Sequence, residues 1–149
     1  MKSSRRRSRE FALQALYQWQ LNGSSADTLI AQLSEGEAYA KIDQAYFAEL
    51  IKGTISSAAD LDQKISQHVD RPLKELSPVE CGILMLACFE LSTQLEVPYK
   101  VIINEAIELA KTFGGTDGHK DVNGVLDKIA PTLRGDEIAF AKQNVRHKV

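Results

Sequence analysis

Two stretches concentrate the residues of this chain that could do chemistry. "RRRSR", residues 5 to 9, places Arg5, Arg6, Arg7 and Arg9 close behind Lys2. "FGGTDGHKDVNG", residues 113 to 124, sets four glycines beside Asp117, His119, Lys120, Asp121 and Asn123. Glycine next to a cation often means bound phosphate, since a bare backbone lets amide groups approach an anion. Arginine suits RNA in particular, because its planar guanidinium can pair with phosphate and stack on bases.

Other chemistries find no support in the residue pattern. A phosphate-cradling nucleotide loop needs four residues between its glycines, then Lys and Ser or Thr, after a strand. Here Gly114 and Gly118 enclose three residues, His119 follows, and the preceding pattern is helical. The dinucleotide fingerprint fails in the same context. His68, His119 and His147 are scattered, with no metal-ligand spacing. No nucleophile–base pair can be assembled, so no catalytic residue, metal or cofactor is expected. What remains is anion binding without catalysis. Asp117 reads as a helix cap, leaving the amides of Gly118, His119 and Lys120 among the first-turn donors. Gly-Gly followed by Asp is equally ordinary helix–turn–helix chemistry, and the residues alone leave both readings open.

Charge sharpens the contrast between the two ends. The formal net charge is −2, yet Lys2 and the four arginines all precede the first acid, Glu10. That leaves 13 of the 18 basic residues against 20 acidic ones in the remainder. A basic arm on an acidic body suggests a phosphate-contacting segment, or else a solvated, frayed terminus. If the arginines open a helix, they sit at the positive end of its dipole. That costs roughly 0.3–1 kcal/mol per exposed cation, which an anionic partner would offset.

The elements that must position these residues read as helices throughout. A length of 149 residues fits one domain. The first helix runs from about Ser4 or Ser8 to Asn22. Phe11, Ala12, Ala15, Leu16 and Trp19 form one apolar face, and Leu13, Tyr17 and Leu21 a second stripe, for the core or for a partner. Residues 26–33 form a short helix, followed by an acidic loop. Asp43 caps a helix carrying Phe47, Leu50, Ile51 and Thr54. The next, from about Ala59, carries Leu61, Ile65, His68 and Val69, and "RPL" at 71–73 ends it. "SPVE" at 77–80 is the clearest helix start: Ser77 caps, Pro78 takes the first position, and Glu80 completes a capping box. The helix it opens is apolar almost all round and should be central. Cys81 and Cys88 lie on it as small core residues, fitting a reduced, cytoplasmic protein. After a turn at "EVPYK", Val101–Phe113 is helical, with Ile103, Ala106, Ile107 and Ala110 inward and Gly114 ending it. A last helix runs from Gly118 to Ala130, where Pro131 stops it. Residues 135–149 read as a loose polar tail. No apolar run approaches the ~20 residues of a membrane span, and the basic start leads into no secretory core.

"RRRSREFALQALYQWQL" and "VPYKVIINEAIELAKTFGGTDGHKDVNGVLDKIAP" together resemble the bacterial transcription antitermination factor family NusB, in the family's order and spacing. The resemblance covers about a third of the chain. It implies an all-α fold of about seven helices in two packed subbundles: a single domain, residues 1–134, with a basic arm at 1–9. It further implies binding of boxA RNA in nascent ribosomal transcripts, together with a small-subunit ribosomal protein, NusE. Other Nus factors and RNA polymerase are then engaged indirectly. Family members occur as monomers and as dimers, so a homodimer is allowed for the free chain. Carried over by position, Lys2, Arg5, Arg6, Arg7 and Arg9 contact RNA, with Phe113, Asp117, His119, Lys120 and Asn123 as a second RNA-contacting group. Tyr17 and Glu80 match positions facing the ribosomal partner, which gives Leu13 and Leu21 a use. One departure stands out: the family commonly reads "HKFVNG" where this chain has "HKDVNG". Asp121 removes an aromatic able to stack on a base, worth roughly 1–3 kcal/mol. The competing reading is a protein-interaction module that makes no direct RNA contact.

Overall fold

The computed structural model describes residues 2–70, 72 and 75–147, with side chains to residue 143. Within them lie eight α-helices: α1 (Ser4–Asn22), α2 (Ala26–Ser34), α3 (Gln44–Ser56), α4 (Ala58–Ser66), α5 (Pro78–Thr93), α6 (Tyr99–Phe113), α7 (Gly118–Leu133) and α8 (Gly135–His147). A short 3-10 helix, Glu37–Lys41, stands where a loop was expected. No strand occurs among the described residues.

The helices form two groups that share α5. α1, α2 and α3 pack on one another, and α6 and α7 pair and close over α5, with α4 at their side. α5 touches α1, α3, α4, α6 and α7. Its composition requires that place, since every residue from Cys81 to Leu91 is buried. Gly53 of α3 faces Phe89 of α5 so closely that an added Cβ would enter the ring. Elsewhere on α3, Phe47 meets Phe11 and Tyr39 ring to ring, and the three centroids lie 5.9–6.3 Å apart.

Local signals set most helix starts. Ser77 Oγ accepts from the Glu80 amide at 3.1 Å, with Pro78 in the first turn. Asp43 Oδ1 accepts from the Tyr46 amide at 3.0 Å. Ser3 Oγ accepts from the Arg6 amide at 3.1 Å, so α1 begins before the arginines. Each cap satisfies an amide that has no partner within its helix.

Three boundaries differ from the sequence reading, and the one at Gly114 matches it. α4 ends at Ser66, which leaves His68 and Val69 beyond it; of the "RPL" expected to end this helix, Arg71 and Leu73 lie outside the described residues. Pro131 does not stop α7. It sits in the final turn, where its missing N–H is a single lost bond, and the turn closes through the Arg134 amide onto Ala130 O at 2.7 Å. Gly114 ends α6 in an extended conformation (φ −88°, ψ 179°). It must be glycine because a Cβ there would come 2.7 Å from Ala110 O. Residues 135–147 are helical, not loose, and Arg134 explains why. Its buried guanidinium donates to the carbonyls of Glu90, Leu91, Gln94 and Val97, closing the C-terminal end of α5. Glu137 then accepts from Arg134 Nη1 at 2.6 Å and from the Tyr99 amide at 2.9 Å, tying α8 to the start of α6. Ile138 packs against the core.

Candidate nucleic-acid interface

The basic segment is the first turns of α1, and its cations meet different fates. Arg9 is 4% exposed. Its Nε and Nη2 donate to Glu90 Oε1 and Oε2, both at 2.9 Å, and the Tyr46 hydroxyl donates to Oε2 at 2.6 Å. Burial works against the Arg9 charge, but the hydrogen bond and negative charge of Glu90 outweigh it and raise the pKa. Burial, then the Glu90 charge, hold the Tyr46 phenol above its ordinary value. Arg9, expected at the RNA surface, is therefore a core residue with its donor edge committed to Glu90.

The remaining cations stay at the surface. Arg5 lies over the Tyr46 ring, 4.2 Å from its centroid, with Nε 3.6 Å from Asp43 Oδ2. Arg6 reaches across to α6, where Glu105 accepts from Nε at 2.8 Å and Nη2 at 3.3 Å. Lys2 pairs with Glu10 at 2.7 Å. Arg7 forms no ion pair among the described residues and borders a recess floored by Phe11, Ala38 and Ile42. These carboxylates offset the cost of placing cations at the positive end of a helix dipole.

The second stretch lies at the α6–α7 connection. Phe113, 47% exposed, closes a small apolar groove with Phe11, Leu13, Tyr17 and Val79. Tyr17 and Leu21 are exposed, whereas Leu13, placed with them as partner-facing, is 4% exposed and belongs to the core. The i, i+4, i+8 stripe splits because α1 turns progressively out of the core toward its end. Phe113, expected at RNA, and Tyr17, expected at a protein partner, thus share one groove.

Asp117 occupies the cap position of α7, but its side chain makes no capping bond. Its backbone (φ −113°, ψ 12°) is not the extended form from which a cap reaches back. Its carboxylate stands 3.5 Å from Lys120 Nζ, both side chains widely exposed. Gly118 is buried, and a Cβ there would lie 2.8 Å from Glu80 Oε1. Only the Ser77 half of the expected capping box forms, since the Glu80 carboxylate lies against Gly118 instead. His119 and Asn123 are half-buried, and Asp121 is exposed. Lys120 and Asp121 border a recess of their own with His68, Asp70, Gly124 and Lys128. Arg6 and Phe113 are brought to one side by α6, whose Glu105 and Phe113 are about 12 Å apart along the axis.

Sequence reasoning missed Tyr46, Glu90, Glu105 and Arg134. A lone carboxylate in the apolar "CGILMLACFEL" was an available signal for Glu90, because a buried charge demands a partner. Arg134 carried only the nearby Glu137 as a local signal: the carbonyls it binds lie some forty residues away.

Among the described residues no helix is long and apolar enough to cross a membrane. The NusB family model matches residues 6–131. Transcription antitermination protein NusB of Dechloromonas aromatica (strain RCB) is 56% identical over 142 residues, covering 95% of this chain and 87% of that protein. The protein of the same name from Nitrosomonas europaea is 52% identical over 137 residues, covering 92% and 82%. The solved structure of T. maritima NusB superposes with a TM-score of 0.76 at 35% identity, covering 87% of this chain and 92% of that one. A crystal structure of antitermination factors NusB and NusE in complex with dsRNA shares the fold, with a TM-score of 0.74 at 24% identity over 85% and 96%. By the extent of these matches and by its fold, the chain belongs to the NusB family.

Proposed function

We propose that this chain is a non-catalytic, cytoplasmic transcription antitermination factor. It binds boxA RNA of nascent ribosomal transcripts jointly with a small-subunit ribosomal protein, NusE, and so supports processive transcription by RNA polymerase with other Nus factors. The observation that carries the reading is near-full-length similarity to proteins named for transcription antitermination. The complex of NusB and NusE with dsRNA adds that a protein of this fold holds both partners.

In this reading Lys2, Arg5, Arg6 and Arg7 take the phosphates, and Arg9 holds the helix that carries them. Phe113, His119, Lys120 and Asn123 extend the RNA surface, with Asp117 orienting Lys120. Tyr17, Leu21 and Glu80 face the ribosomal protein, over a floor that includes Leu13. The free chain can cover the same apolar surface by pairing with a second copy.

Replacing Arg5, Arg6 and Arg7 together with alanine tests the phosphate role. Each lost contact to single-stranded RNA should reduce the slope of log affinity against log salt by roughly 0.7. A slope equal to that of the wild type rejects it. One observation favours a second reading, a module for protein partners only: Lys2, Arg5 and Arg6 already have carboxylates within the chain. RNA that fails to bind, with or without the ribosomal protein, decides for that reading.

A further inference from the structure

We propose that Glu105 is a positioning residue of the RNA interface, fixing Arg6 so that the free edge of its guanidinium meets a phosphate. The inference rests on the RNA-binding reading above.

Arg6 is the one surface arginine of α1 held by two hydrogen bonds to a single carboxylate. Glu105 accepts from Nε and Nη2 at 2.8 and 3.3 Å, and the hydrogen bond and charge of Glu105 raise the Arg6 pKa. A guanidinium has five N–H donors in a planar fork. Two are spent on Glu105; the others, on Nη1 and the far side of Nη2, remain. The Arg6 side chain is 38% exposed, that of Glu105 only 15%. The carboxylate therefore forms the inner wall and the guanidinium the outer surface. Backbone geometry supports the same aim, because the Arg6 amide is tied to the Ser3 cap.

An opposite role is conceivable on charge alone: Glu105 could compete with phosphate for Arg6. The burial pattern argues against it. Drawing Arg6 away would leave a largely covered carboxylate without its partner, and stranding such a group is costly. A phosphate can instead add to the free donors without breaking the pair. Without Glu105, Arg6 would fall to neighbouring acids, since Glu108 and Glu10 also act on its charge. By contrast, Arg5 rests on the Tyr46 ring with Asp43 at 3.6 Å, beyond hydrogen-bond distance, and Lys2–Glu10 is a one-point pair of a flexible side chain, so neither carboxylate fixes a direction.

The two roles differ in sign. Removing a carboxylate beside an RNA surface should tighten binding if Coulomb repulsion dominates, and weaken it if positioning dominates. The test is fluorescence anisotropy of a short single-stranded boxA-type RNA against the wild type, E105D, E105A, R6A, R6A/E105D and R6A/E105A. E105D keeps the charge and withdraws the carboxylate by one methylene, so it separates geometry from charge and leaves the fold intact. E105D and E105A should each weaken binding about two- to tenfold, the range expected when one long side chain must be ordered on binding. Neither should weaken it further in the R6A background. Binding by E105D equal to or tighter than wild type overturns the proposal, as does an equal loss with and without Arg6. Wild-type protein that does not bind the RNA overturns the RNA-binding reading, and this inference with it; the wild-type titration thus tells the two failures apart.

Discussion

Arg9→Ala should cost the fold more than it costs RNA binding. The substitution removes the cation paired with Glu90, a carboxylate only 2% exposed, and leaves the Tyr46 hydroxyl as its remaining side-chain partner among the described residues. Breaking a buried ion pair by deleting one partner costs about 3–5 kcal/mol, because a charge is left uncompensated in a poor solvent. That is a large share of the roughly 5–15 kcal/mol by which a domain is stable. At about 2–4 °C per kcal/mol for a chain near this size, Tm should fall on the order of 10 °C. Calorimetry or thermal circular dichroism reads this directly. Arg9→Met with Glu90→Leu, which replaces the pair by apolar volume, should recover much of the loss. If Arg9→Ala melts within about a degree of wild type while RNA affinity collapses, the buried pair has been misassigned and Arg9 is an interface residue after all.

Three further outcomes follow from the geometry. Gly53→Ala places a methyl group in the Phe89 ring and should destabilise the fold by about 1–3 kcal/mol; Phe89→Leu in the same chain should relieve it, and a Gly53→Ala melt matching wild type would refute the tight α3–α5 contact. Burial pushes the thiols of Cys81 and Cys88 from 9.0 to about 11. The unfolded chain ionises first, so their contribution is intact below pH 9 and is lost as pH rises through about 11. Urea midpoints should fall over that window, less so in Cys81→Ala/Cys88→Ala, and identical declines in both proteins would contradict the assignment. Asp121→Phe should raise affinity for boxA-type RNA, since an exposed carboxylate gives way to a ring that can stack on a base; unchanged affinity in a folded variant places residue 121 away from RNA.

What the sequence disclosed and what it withheld divide by range of interaction. Ser77, Pro78 and Asp43 announce their helices because a cap and its amide are three residues apart. The apolar run of α5 likewise announces its burial. Arg9 looked like its neighbours because its partner lies 81 residues away, and only the packing of α1 on α5 shows that it faces inward while Arg7 does not. The i, i+4, i+8 stripe of α1 was visible, but periodicity alone could not show that Leu13 enters the core while Tyr17 and Leu21 stay out. The polar composition of residues 135–149 argues for a tail, of which 148–149 lie outside the described residues, and the anchoring of α8 by Arg134 and Glu137 depends on carbonyls at the distant end of α5. At the α6–α7 connection, the glycines were read correctly as punctuation. Asp117 reads as a cap, but its backbone lacks the extended form from which a cap reaches back, and its side chain makes no capping bond.

The most direct measurement is a titration of boxA RNA with this protein, with and without the ribosomal protein NusE. The RNA-binding function predicts measurable binding by the chain alone, strengthened when the ribosomal protein is added and weakened by raised salt. Absence of binding under both conditions, with the protein folded, would contradict it.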